Sequence, residues 1–117
     1  MIDQRKDVGR RGESFAAAFF LAKGFRVVDR NWNCRLGEID LVVEKDGMTH
    51  FVEVKTRLTM DYGYPEEAIT KTKLRHLAKA IELYLRIRPS VNYQADALAI
   101  YRKPEGEPEV EWIQNII

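Results

Sequence analysis

The chain is 117 residues long, 45% hydrophobic and 32% charged, a balance that fills one core and excludes a disordered tail or a collagen-like rod. Nineteen Lys and Arg against eighteen Asp and Glu leave a net charge of +1, so total charge singles out no nucleic-acid, membrane or acidic partner, and any such signal has to come from local patterning. A single cysteine, Cys34, and a longest apolar run of residues 15–22 exclude an internal disulfide, a Cys-rich zinc site and a membrane-spanning helix of roughly 20 residues, and lead us to expect a cytoplasmic protein with no membrane partner.

No repeat or linker interrupts the chain, which reads as one domain over residues 1–117 with an ordered core from about residue 8. Residues 7–23 lack proline, are dense in alanine and carry an apolar side of Ala16, Phe19, Phe20 and Ala22, with Gly24 as the stop; they predict a helix. Residues 25–32 are rich in β-formers with one displaced step, which predicts a bulged strand. Residues 38–44 and 49–56 alternate on either side of Asp46-Gly47, the dipeptide of a tight hairpin. A loop follows over 57–64. Pro65 then opens a helix with apolar Ile69, Leu74, Leu77, Ala78, Ile81 and Leu85, interrupted near Thr70 and ended by Pro89. Two strands, 93–101 and 110–116, complete an order αβββαββ.

A two-residue turn at Asp46-Gly47 sets Lys45 opposite Met48, Val42 opposite Phe51, Asp40 opposite Glu53 and Glu38 opposite Lys55. Because side chains alternate, these lie on one face, while Ile39, Leu41, Val43, Val52 and Val54 form an aliphatic stripe on the other. Two facing carboxylates beside Val42 and Phe51 repel one another in a lowered dielectric. A hard divalent ion relieves that repulsion: Mg²⁺ typically takes one or two protein carboxylates and completes its shell with water and phosphate oxygens. Lys55, on the same face, then points at the outer waters, where it can orient or deprotonate an attacking water or neutralise a phosphate. Glu13, one helical turn before Ala16 and Ala17, is placed to reach the same face as a third carboxylate. The plainer alternatives are solvated acids on an open sheet face, a cross-strand Glu38–Lys55 ion pair, and Glu13 as a first-turn acid favoured by the helix dipole.

The segments Gly9-Arg10-Arg11-Gly12-Glu13, Gly37-Glu38-Ile39-Asp40-Leu41 and Phe51-Val52-Glu53-Val54-Lys55-Thr56-Arg57, with Asn31, residues 65–69 and Lys73-Leu74, make the chain resemble the YraN-like (UPF0102-type) family. Members of that family look like the Holliday-junction-resolvase branch of the PD-(D/E)XK nucleases. The resemblance implies an α/β fold with a restriction-endonuclease-like αβββαβ core, a central mixed sheet flanked by helices. It also implies Asp40, Glu53 and Glu13 as ligands of Mg²⁺ or Mn²⁺, with the Val54 backbone carbonyl as a further ligand and Lys55 as the motif lysine. Ile39 stands where the superfamily's name has proline.

Local charge adds a substrate class. Residues 71–88 carry +5, and Lys71, Arg75, Lys79 and Arg86 form one helix side, a pattern most often explained by solvation. Lys73 is offset toward the sheet and, with Arg10, Arg11, Arg35 and Arg57, frames a phosphate track around the acids. Tyr62, Tyr64 and Trp32 are placed to stack on bases or to finish the core. His50 and His76 lack neighbours at metal-binding spacing, and Cys34 reads as inert. These features together predict a Mg- or Mn-dependent endonuclease on DNA, with branched or structured DNA as the favoured form and RNA as the other nucleic acid. The alternative is a non-catalytic nucleic-acid-binding module, and a homodimer would suit a branched substrate.

Overall fold

In the computed structural model, residues 4–58 and 69–117 are described, with the side chains of the first helix described from Arg10 onward. The fold is α/β: α1 (Gln4–Ala22), β1 (Arg26–Cys34), β2 (Gly37–Lys45), β3 (Met48–Arg57), α2 (Lys71–Ile87), β4 (Tyr93–Tyr101) and β5 (Glu109–Ile113). The five strands form one sheet in the order β1-β2-β3-β4-β5. Only β3 and β4 run parallel, because the crossover that joins them contains α2. This five-stranded mixed sheet with two helices is compatible with a restriction-endonuclease-like core, and the element order is the one expected from the sequence.

The helices pack on opposite faces of the sheet. On one face Ala16, Ala17 and Phe20 of α1 meet Leu41, Val43, Val52, Val54, Leu98 and Ile100, and Trp112 closes edge-on against Phe20 at 5.2 Å. Small residues at 16 and 17 let α1 lie close, and Gly12 lies closer still: a Cβ there would overlap Thr56 Oγ1. The helix ends in a Schellman-type turn, with Phe25 N–H donating to Phe20 O and Gly24 N–H to Leu21 O, which Gly24 permits through its φ of +89°. On the other face Leu77, Ala80, Ile81 and Tyr84 of α2, spaced at helical period, cover Val42, Phe51 and Ala95.

The hairpin register is as expected, with Lys45 opposite Met48 and Val42 opposite Phe51, and both turn residues adopt positive φ, Asp46 at 51° and Gly47 at 77°. The predicted bulge in β1 is also present, as a register shift between Val27 and Asp29. Four expectations shift. Strand β1 runs on to Cys34, β5 stops at Ile113, and α2 begins at Lys71, because Thr70, in extended conformation, caps it by accepting from Lys73 N–H at 3.2 Å. Ile69 lies outside the helix, and the expected helix start at Pro65 lies outside the described residues. The fourth shift matters most: Ile39 joins the α2-side cluster with Val42 and Phe51, so the aliphatic stripe breaks between Ile39 and Leu41. Asp40 causes the break. It is skipped by the ladder with β1, which passes from Arg30↔Leu41 to Trp32↔Ile39, and the ladder with β3 ends at Leu41↔Val52.

A polar hub ties the far end of the sheet together. Asp96 is fully buried and accepts from Trp112 Nε1 at 3.0 Å, Gln94 Nε2 at 2.8 Å and Asn115 N–H at 3.1 Å, with His50 Nδ1 at 2.7 Å. Its charge is satisfied on every side, as a buried carboxylate requires.

Candidate metal centre

The break in β2 makes the centre. Released from both ladders, Asp40 turns its carboxylate onto the edge of β3, where Oδ2 accepts from Val54 N–H at 2.8 Å. That side-chain bond takes the place of a rung and holds Asp40 against Glu53, with which it shares a side-chain hydrogen bond. The same break reverses the two residues before it. Ile39 goes to the α2 side, and Glu38 turns toward Glu13: one carboxylate oxygen from each of Glu13, Glu38 and Asp40 lies within 4.8 Å of the others. Glu13 arrives from α1, whose close approach is set by Gly12 against Thr56, and is hydrogen-bonded by the Asn31 side chain. Asn31 itself has the left-handed φ of 51°, at the position in β1 that the ladder skips.

Crowding and burial dominate the electrostatics. Burial raises the Asp40 pKa to about 8, reinforced by the charge of Glu53, and then by Glu38 and Glu13, against the opposing Val54 hydrogen bond. Burial likewise raises Glu53, partly offset by Lys55 and Lys73, and raises Glu13, partly offset by Asn31. A set of carboxylates this close, oxygen-only and expensive to ionise without a counter-charge, fits a hard divalent cation of the Mg²⁺ or Mn²⁺ type.

Lys55 lies on the α2 face of β3 beside Lys73 of α2, and the two side chains are within hydrogen-bonding reach. Burial lowers the Lys55 pKa, followed by the Lys73 contact, the Lys73 charge and, after an opposing pull from Glu53, Arg57. Arg57 ends β3 with its Nε buried and, among the described residues, without a hydrogen-bond partner. Three cations and an orphan donor therefore adjoin the acids on this face, a setting that favours an oxyanion.

The site residues read from the sequence do not all converge. Asp40, Glu53, Lys55 and Glu13 come together, Lys73 and Arg57 stand beside Lys55, and Val54 holds Asp40 through its N–H. Arg10 is exposed on α1 and its charge acts on Glu13, whereas Arg35 is exposed in the turn between β1 and β2. Arg11 is exposed on α1 next to Arg10. Trp32 is committed to the core, edge-on to Tyr84 at 5.3 Å. Tyr62 and Tyr64 lie outside the described residues. Sequence reasoning missed Glu38 as a member of the acid cluster, Asn31 as the residue that positions Glu13, and Arg30, which donates to Ser14 Oγ at 3.2 Å and whose charge acts on Glu13. Alternation hid Glu38, since only the break at Asp40 moves it to the other face.

Fold and site define a small α/β protein with a hairpin-borne acid cluster. Residues 12–100 match the Uncharacterised protein family UPF0102. Similar proteins include a UPF0102 protein of Clavibacter michiganensis, 39% identical over 97% of this chain and 98% of its own, and one of Caldicellulosiruptor saccharolyticus, 36% identical over 95% and 97%. A UPF0102 protein of Syntrophomonas wolfei is 46% identical over 94% and 96%. The chain belongs to the UPF0102 family. Among the described residues no helix is long and apolar enough to cross a membrane.

Proposed function

We propose that the chain is a Mg²⁺- or Mn²⁺-dependent endonuclease that hydrolyses phosphodiester bonds in DNA, with branched or structured DNA as its substrate and the cytoplasm as its place of action. The observation that carries this reading is the position of Asp40. It is out of both ladders, bonded to Val54 N–H and set against Glu53, with Lys55 two residues further along β3.

In this reading Asp40, Glu53 and Glu13 hold the cation, with Glu38 beside them and the Val54 carbonyl as a further donor. The bound ion supplies Lewis acidity at the phosphorus centre and a water that is readily deprotonated. Glu53 is drawn to its working position by Asp40 on one side and the lysines on the other. Lys55 faces the phosphate, where its ammonium stabilises the charge that builds up on the phosphoryl oxygens. Its lowered pKa suits it equally to orient the attacking water. Lys73 and Arg57 hold the phosphate backbone next to the acids, and Arg57 Nε gains the acceptor it lacks. A two-fold dimer would present two such centres to a junction with two strands to cut.

The test is cleavage of single-stranded, duplex, flapped and four-way DNA, with single-stranded and duplex RNA beside them, in Mg²⁺ or Mn²⁺. The expected result is metal-dependent DNA cleavage that falls at least 100-fold, an order-of-magnitude loss, in Asp40→Asn and Glu53→Gln, with folding retained. A protein that binds these DNAs with salt-dependent affinity but cuts none of them in either metal is instead the non-catalytic nucleic-acid-binding module.

A further inference from the structure

The α1 face of the sheet carries a second basic feature, apart from the lysines beside Glu53. Arg10 and Arg11 of α1 and Arg102, just beyond β4, line a shallow open groove together with Ser14 and Phe15. Three of its five lining residues are arginines and no acid lines it, on a molecule whose net charge is only +1. Gathering guanidinium groups this way costs repulsion unless an anion visits. The neighbouring cation is treated differently: Lys103 is neutralised by Glu109 at 2.7 Å.

Strand geometry relates this groove to the candidate metal centre. Thr56 faces α1, against Gly12, so Arg57 faces the α2 side. Ile100 lies in the α1-side core, so Arg102 returns to the α1 side. Arg102 N–H donates to Arg57 O at 2.9 Å, which sets these two arginines next to each other at the sheet end with side chains on opposite faces. The groove also adjoins the acids through α1, since the Arg10 charge acts on Glu13.

We propose that this groove is an anion subsite for the phosphodiester backbone of nucleic acid. The substrate then straddles the end of the sheet, held by Arg10 and Arg102 on the α1 face and by Arg57 and Lys73 on the α2 face, with the acids between. The inference rests on the reading of the chain as a nucleic-acid-binding protein, but not on its being a nuclease. It assigns Arg102 a role that the motif residues do not suggest, and it requires contact with two stretches of backbone at once.

The experiment is a fluorescence-anisotropy titration of a labelled DNA duplex without divalent metal, across a series of salt concentrations. It compares the wild type with Arg102→Gln, the Arg10→Gln/Arg102→Gln double variant, and Lys79→Gln, an exposed cation on α2. Each lost phosphate contact is expected to lower the slope of log affinity against log salt by about 0.9, so the double variant loses about twice that while Lys79→Gln keeps the wild-type slope. Thermal melting of all variants checks that the fold is intact. An unchanged slope in the double variant, an equal loss in Lys79→Gln, or a wild type that does not bind the duplex overturns the proposal. So does a groove-dependent preference for a poly-glutamate peptide over the duplex, which marks a protein-docking surface. Cleavage is scored separately: cutting with an unchanged slope removes the groove and leaves the nuclease, and groove-dependent binding without cutting does the reverse.

Discussion

Asp40 concentrates the chemistry of the molecule in one side chain. Its pKa is raised to about 8, by burial first and by Glu53 next, so the folded protein holds this proton more tightly than the unfolded chain does. The stability gained from neutral Asp40 is therefore fully present below its ordinary pKa of 3.8 and is lost as pH rises through about 8. Asp40→Asn keeps an acceptor for Val54 N–H and removes the charge. In metal-free buffer at pH 9 it is expected to melt several degrees above the wild type, with the difference vanishing near pH 4, as read by circular dichroism. Mn²⁺ or Mg²⁺ is expected to raise the wild-type melting temperature at pH 9 and to leave that of the variant unchanged. At this scale the sequence was informative where register alone decides, as at Asp40 and Glu53. It was silent where a local rotation decides, as at Glu38 and Ile39, because period-two alternation carries no sign of a residue that leaves both ladders. Asn31 was equally hidden, since a left-handed residue inside a strand is a tertiary outcome that no local propensity announces.

Among the elements, the hairpin was the most legible, because Asp-Gly accepts positive φ at both turn positions and the flanking residues alternate cleanly. Helix α2 was legible in its apolar period but not at its start. Pro65 is a sound first-turn residue, yet Thr70 is a better cap, and a helix entered from an extended residue begins after it. Removing that cap by Thr70→Ala should cost about 1 kcal/mol in a urea unfolding experiment, with no change in the dependence of unfolding on denaturant. Helix α1 depends on close approach. Gly12 was singled out for permitting a nearby backbone or phosphate; the structure shows that the neighbour is Thr56, next to Lys55 in β3. Gly37 does the same for α2, since a Cβ there would lie 3.0 Å from the His76 carbonyl. The two glycines thus seat the helices that bring Glu13 and Lys73 to the sheet.

For the molecule as a whole, the two ends of the sheet are built by opposite rules. One end collects acids and cations whose demands are incompletely met, the condition expected of a working site. The other end satisfies Asp96 completely, through β3, β4, β5 and the residue after next beyond β5. This hub was not legible in the sequence: Asp96 sits in an otherwise apolar run, and His50 was set aside for want of metal-binding spacing. Asp96→Ala leaves Trp112 Nε1, Gln94 and His50 without their acceptor and should destabilise the protein by about 3 kcal/mol or more in chemical denaturation, in line with other broken buried networks. Rescue by Asp96→Asn should be partial, because an amide keeps one acceptor oxygen where the carboxylate offers two.

The bulge at Val27 and Asp29 has a further effect. Strand β1 is an outer strand of the sheet, so its free rim of N–H and C=O groups is a template on which another chain can add. The bulge twists that rim, and Arg26 and Arg30 stand exposed along it, two of the devices by which natural sheets resist edge-to-edge aggregation. Self-association by extending the sheet past β1 is thereby disfavoured, and two copies of this chain would have to meet through another surface.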